Sequence, residues 1–123
     1  MAKIHIQGDS LVVEMVGWDK LLCLRGTMTL PLSHIRSLEL RPVDSDPAKA
    51  THALRLAGGY WPHAFATGYF AVNGEIVFYD VHDSSKTIGI GVEHESVRRL
   101  ILEVEGETPE EALARLQAAK PAV

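Results

Sequence analysis

This sequence has little cysteine, no long apolar run and no excess of basic residues, and each shortage excludes a class of protein. Its one cysteine, Cys23, cannot form an internal disulfide, and its leucine neighbours are typical of a small buried core residue. The longest apolar runs, such as residues 21–24, are far too short to cross a bilayer. The first residues lack a basic segment followed by an apolar stretch, so we expect no secretory signal and predict a cytoplasmic protein.

The charge balance is mildly acidic. The 16 aspartates and glutamates exceed the 12 lysines and arginines, which gives a formal net charge of −4 and a pI of about 5.8. A general nucleic-acid or anionic-membrane surface needs an excess of cations, so we predict neither kind of partner.

Motifs of catalytic or metal chemistry are also missing. The six histidines are scattered, and no two of them share a ligand spacing such as i,i+2 or i,i+4. His82 and His94 flank one predicted strand and could converge at its end, although solvated turn histidines are the favoured interpretation. The run Gly89-Ile90-Gly91 lies in a strand pattern and opens no helix, so it is not a phosphate loop. We therefore predict no catalytic residue, no metal and no cofactor.

What the chain does contain is a series of short strands. A chain of 123 residues with 46% apolar and 23% charged residues is typical of one globular domain, residues 1–123. Its apolar periodicity predicts strands over about residues 3–105 and a capping helix over about residues 109–119. The strongest signal is Asn73-Gly74 between two apolar runs, because both residues of a type I′ turn need positive φ. This turn predicts three cross-strand pairs: Val72 with Glu75, Phe70 with Val77, and Tyr69 with Phe78.

Two glycine pairs influence the expected strands. Gly58-Gly59 is predicted to end a short strand that contains Leu54 and Leu56. Gly89 and Gly91 leave one face of their strand without side chains, which favours a close approach by another backbone. A second copy of the chain could approach there, so both glycines belong to the candidate interaction surface.

The C-terminal helix has a clear start and an apolar face. Thr108 is a suitable N-cap, and Glu111 completes a capping box with it. Glu111 and Arg115 are expected to form an i,i+4 ion pair. A helix of about three turns is marginal in isolation, so Leu113 and Leu116 are expected to pack on the strands.

This order of elements resembles a pleckstrin-homology-like (PH-like) barrel, which has about seven antiparallel strands capped by one C-terminal α-helix. The resemblance is to bacterial PH-like families, which are largely of unknown function, and it covers about residues 4–119. It rests on four segments: Gly17-Trp18-Asp19-Lys20-Leu21-Leu22, Pro31-Leu32-Ser33-His34-Ile35, Ala66-Thr67-Gly68-Tyr69-Phe70 and Val77-Phe78-Tyr79-Asp80-Val81. The family implies a mainly β fold. Its phosphoinositide-binding members carry lysines and arginines in the first loop, whereas residues 7–10 here are acidic, so phosphoinositide binding is not expected.

An aromatic segment is the preferred candidate for an interaction surface. Tyr60, Trp61 and His63 lie beside glycines and a proline, where exposed loops usually carry polar residues. Trp18 lies in a similar turn-like segment. Tyrosine and tryptophan dominate interface hot spots, and the alternative is that Trp61 folds back to cover the barrel end.

The expected function is a non-catalytic binding or scaffolding module that acts through protein contacts, with self-association as one form of that activity. A second hypothesis is a small-ligand or lipid-headgroup binder that uses the open barrel end near Tyr60, Trp61 and His63. An uncharacterised enzyme ranks last.

Overall fold

The computed structural model describes residues 1–17, 26–45, 53–61 and 65–119. These residues form a three-stranded sheet, a six-stranded sheet and one C-terminal α-helix, so the prediction of a mainly β fold with such a helix is confirmed. The elements have these bounds: β1 Ala2–Gln7, β2 Ser10–Met15, β3 Thr27–Pro31, β4 Ile35–Leu40, β5 Ala53–Trp61, β6 Phe65–Val72, β7 Glu75–Val81, β8 Thr87–Val92, β9 Arg99–Glu103 and α1 Pro109–Ala119.

The smaller sheet is an antiparallel meander of β1, β2 and β3. Its first hairpin pairs Gln7 with Ser10, and Pro31 ends β3, as suits a residue with no backbone N–H to donate. This sheet joins the larger one where Ala2 forms a parallel bridge with Val104. The described strands do not close into a barrel.

The larger sheet has the strand order β4-β8-β9-β7-β6-β5. Its neighbours are antiparallel except β7 and β9, which pair in parallel. The prediction of about seven strands, all antiparallel, is therefore wrong, because the described residues already form nine strands and include this parallel pair. The physical reason lies in β9, where Leu100 and Leu102 are fully buried on one face and Ile101 on the other. A strand that is apolar on both faces needs a central position, and β9 finds it between β7 and β8.

The hairpin at Asn73-Gly74 has the predicted register. Its pairs are Val72 with Glu75, Phe70 with Val77, and Tyr69 with Phe78. The φ angles of Asn73 and Gly74 are +51° and +81°, as a type I′ turn requires. The prediction is confirmed.

Strand β5 corrects the prediction that Gly58-Gly59 ends a strand. The strand continues through both glycines and pairs with β6 as far as Trp61. Gly58 has a φ of +109°, and a Cβ there would lie 2.1 Å from the carbonyl oxygen of Thr67. Glycine therefore allows two backbones to approach closely inside the sheet instead of ending the strand.

The two faces of the six-stranded sheet carry separate apolar clusters. The inner face packs against the smaller sheet and α1, and its cluster includes Phe78 and Leu100. The outer face is the opposite side, and its cluster includes Tyr79 and Ile101. The inner cluster thus combines residues of both sheets and α1, whereas the outer cluster, among the described residues, consists of residues of the six-stranded sheet alone.

Helix α1 begins with the predicted capping box. The Thr108 N–H donates to the Glu111 carboxylate at 2.9 Å, and the Glu111 N–H donates to the Thr108 hydroxyl at 3.1 Å. Ala112 and Leu116 are fully buried and Leu113 is half-buried, so the helix packs on the core as predicted.

The predicted ion pair between Glu111 and Arg115 is wrong. Arg115 instead pairs with Glu107, at 2.6 Å, and donates a hydrogen bond to the carbonyl oxygen of Ile4 at 2.9 Å. Glu111 is already held by Thr108, so Arg115 turns away from it and connects the helix to β1.

Candidate functional site

The structure describes part of the predicted aromatic surface. Trp18 and His63 lie outside the described residues, and of Trp61 only the backbone, at the end of β5, is described. Tyr60 is half-buried, and its ring packs edge-on against Phe70 with the centroids 6.0 Å apart. Tyr60 therefore contributes to the apolar cluster of the outer face.

The bare face of β8 is filled from within the chain. A Cβ on Gly89 would lie 2.7 Å from Cγ of Pro42, and a Cβ on Gly91 would lie 2.2 Å from Oγ of Ser37. Both glycines are thus required by packing inside the chain. Strands β9, β7 and β6 separate β8 from β5, so the structure does not bring these glycines together with Tyr60.

Strand β5 lies at one end of the six-stranded sheet. It pairs with β6 along its length and, within the described part of the chain, with no strand on its other side. Leu56 on this strand is 50% exposed. An edge of this kind presents backbone N–H and C=O groups that a further strand can pair with.

A polar network crosses the outer face beneath the residues that follow β4. Arg99 donates to both carboxylate oxygens of Asp44, at 2.5 and 2.9 Å. The buried Tyr79 hydroxyl donates to the carbonyl oxygen of Asp44 at 2.7 Å. The hydrogen-bonded guanidinium lowers the pKa of Asp44, and the carboxylate raises the pKa of Arg99. This network fastens the chain around Asp44 to the sheet.

A pocket of about 280 Å³, the arginine pocket, lies beside this network. The polar and glycine residues that line it are Arg36, Ser37, Glu75, Gly91, Arg98 and Arg99. It forms where β4, β8 and β9 lie side by side and where β4 shifts register between Ile35 and Ser37. The pocket was missed in the sequence because its residues come from distant segments, and the only local signal is the pair Arg98-Arg99. The ligand-binding hypothesis expected a site near Tyr60, but this pocket lies toward the opposite edge of the sheet.

The described histidines His34, His82 and His94 do not converge on one site. His94 packs against His34 with ring centroids 5.4 Å apart, and His34 Nδ1 lies 2.5 Å from a Glu95 carboxylate oxygen. His82 instead lies beside Phe65, with centroids 6.3 Å apart. Among the described residues, no group of three or more His, Cys, Asp and Glu side chains is arranged to hold a metal ion.

The inner face contains one fully buried carboxylate, that of Asp80. Its Oδ1 accepts a hydrogen bond from the N-terminal ammonium of Met1 at 2.7 Å, while Oδ2 has no hydrogen-bond partner in the described part of the chain. Burial raises the pKa of Asp80, and the Met1 ammonium opposes part of that rise. The pKa of Asp80 on the inner face is therefore raised, and that of Asp44 on the outer face is lowered.

The fold defines this protein coarsely, as a mainly β domain of two sheets with a helix packed on the inner core. No protein-family model matches the sequence, and neither a curated protein nor a solved structure matches it. In the described residues, no helix has both the length and the apolar character needed to span a membrane. The functional proposals below rest on the surfaces just described.

Proposed function

We propose that this protein is a non-catalytic binding module that acts through protein contacts, with the edge of β5 that faces away from β6 as its contact surface. The observation that carries the proposal is the position of β5 at the end of the sheet, with Leu56 half exposed on it. An extended segment of a partner can add there as a further strand, since main-chain hydrogen bonds supply affinity and exposed side chains supply selectivity. The partner is another protein or a second copy of this chain.

The module is further proposed to be a cytoplasmic member of the PH-like families. The order of strands followed by one C-terminal helix supports this assignment, and so does the burial of Leu116 against the inner core. The parallel pairing of β7 with β9 is a departure from the expected antiparallel barrel.

Substitution of Leu56 by lysine tests the β5 surface. A lysine on an edge strand disfavours the addition of another strand, so Leu56→Lys should abolish self-association measured by light scattering at two protein concentrations. The same substitution should abolish capture of the partner from the native host. Ile76→Lys is the matched control, because Ile76 is an aliphatic residue of β7 that is 39% exposed away from this edge.

Two results would contradict the proposal. One is a monomer at both concentrations combined with equal capture by the wild type and Leu56→Lys. The other is an equal loss of binding in Leu56→Lys and Ile76→Lys, which would remove β5 as the contact surface.

A further inference from the structure

The arginine pocket is separate from the proposed contact surface. It lies between β4, β8 and β9, whereas β5 is the strand at the other end of the sheet. Gly91 adds no side chain to the lining, and the irregular register of β4 places Ser37 opposite that glycine. An inference about this pocket therefore goes beyond the proposed function and can succeed or fail independently of it.

The side chains of the three pocket arginines are constrained to different degrees. Arg99 is the most constrained, because both of its terminal nitrogens bind the Asp44 carboxylate and its side chain is only 25% exposed. It thus forms a preorganised wall that a ligand does not need to order.

The other two arginines form looser ion pairs at the rim. Nε of Arg36 lies 3.8 Å from Glu93, and Nε of Arg98 lies 3.4 Å from Glu75. Each of these four side chains is at least 39% exposed. Exposed pairs of this kind contribute little, so a ligand anion can replace either glutamate at small cost.

The charges around the pocket select the kind of anion. In the part of the chain that the structure describes, ion pairs join the three arginines to the carboxylates of Glu39, Asp44, Glu75 and Glu93. Because this surrounding carries no excess of positive charge, a doubly charged phosphate would be repelled by the carboxylates that remain. One carboxylate matches the planar fork of a single guanidinium. A volume of about 280 Å³ restricts the ligand to a small molecule.

We propose that the arginine pocket binds a small amino acid or hydroxy acid through its carboxylate group, which replaces Glu75 or Glu93 beside Arg98 or Arg36. The ammonium or hydroxyl group of the same ligand then meets the displaced glutamate or the Ser37 hydroxyl. This arrangement pairs every charge that the ligand brings into the pocket.

Calorimetric titration of the full chain tests the site, with glycine, lactate, acetate and inorganic phosphate as probes at constant ionic strength. We expect saturable binding of glycine or lactate, weaker binding of acetate and the weakest binding of phosphate. Arg98→Gln or Arg36→Gln, whichever removes the guanidinium that binds the carboxylate, should lower the affinity about tenfold, the usual effect of losing a hydrogen bond to a charged group. Lys3→Gln is the control, because it changes the net charge equally at an exposed position of β1 in the other sheet.

Several outcomes would overturn the proposal. Phosphate as the tightest probe would exclude the carboxylate class, and equal loss in Lys3→Gln would reduce the effect to net charge. Unchanged affinity in both arginine variants, or no saturable binding of glycine, lactate or acetate at about 10 mM, would remove the site. Both arginine side chains are more than half exposed, so neither substitution should prevent folding, and the order of the four probes on the wild type tests the proposal without any variant. Ligand binding retained in Leu56→Lys would show that this site does not depend on the β5 surface.

Discussion

The two faces of the six-stranded sheet achieve burial in different ways. The inner face is closed by apolar side chains of the smaller sheet and of α1, where Leu116 is completely buried. The outer face carries a smaller apolar cluster, which includes Tyr79 and Ile101, and adds a polar network in which Arg99 and the Tyr79 hydroxyl both bind Asp44. Apolar packing is the larger stabilising term in most folds and the inner cluster is the larger one, so the inner face should dominate stability, while the polar network of the outer face positions Asp44 and one wall of the arginine pocket.

The largest expected effect is on the inner face. Leu116→Ala should lower the free energy of unfolding by about 2–5 kcal/mol, because it leaves a cavity where a fully buried leucine was. Leu113→Ala is the control, since Leu113 is only half-buried and should cost clearly less. Chemical denaturation measures both values. Equal losses in the two variants would show that α1 does not pack through Leu116.

A smaller effect is expected from the polar network of the outer face. Arg99→Ala should lower the free energy of unfolding by about 1–3 kcal/mol, because it leaves the partly buried Asp44 carboxylate without its partner. Arg98→Ala removes the same side chain at a neighbouring, 57% exposed position and should cost at most about 1 kcal/mol. If Arg99→Ala matched Leu116→Ala, the comparison between the faces would fail.

The glycines of β8 provide a test of packing on the outer face. Gly91→Ala should cost about 1–3 kcal/mol, because the new Cβ would overlap the Ser37 hydroxyl, 2.2 Å away. Adding Ser37→Ala should restore most of that loss, since Cβ of Ser37 lies at an ordinary contact distance of 3.5 Å. Thermal unfolding of both variants measures the recovery. No recovery in the double variant would mean that Gly91 is needed for something other than this contact, such as the approach of a second chain.

Local rules of the sequence predict the local structure well. The Asn73-Gly74 turn follows from the φ values that only a few residues adopt, and the capping box of Thr108 and Glu111 follows from the unpaired N–H groups of a helix start. Both depend on residues within four positions of each other. Short spacing alone is not sufficient, because the equally local Glu111–Arg115 pair fails where Glu107 and the Ile4 carbonyl bind Arg115 instead.

Long-range arrangement is what the sequence left open. Strand β9 lies between β7 and β8, where Leu100 and Ile101 are buried on opposite faces of the sheet. No turn signal in the sequence carries that information. The arginine pocket likewise unites Arg36 with Arg98 only through the strand order. Gly58 was predicted to end a strand but lies inside β5, because it allows the close approach of the Thr67 backbone on the neighbouring strand. In each case the deciding contact lies on a different strand.

The smallest expected effect is a difference between the two faces in the pH dependence of the free energy of unfolding. It is small because only one carboxyl group on each face is compared. Burial raises the folded-state pKa of Asp80 above its ordinary value of 3.8, so its contribution to stability is complete below pH 3.8 and is lost as pH rises through the folded-state pKa. Arg99 lowers the folded-state pKa of Asp44 below 3.8, so its contribution is complete above pH 3.8 and is lost as pH falls through the folded-state pKa.

The free energy of unfolding of the wild type, minus that of Asp80→Asn, should therefore decrease from about pH 3 to about pH 7. The same difference taken with Asp44→Asn should increase over that range. Denaturation series at several pH values measure both slopes, and taking differences cancels the titration of all other carboxylates. Slopes of the same sign would show that the two faces do not surround their aspartates in opposite ways.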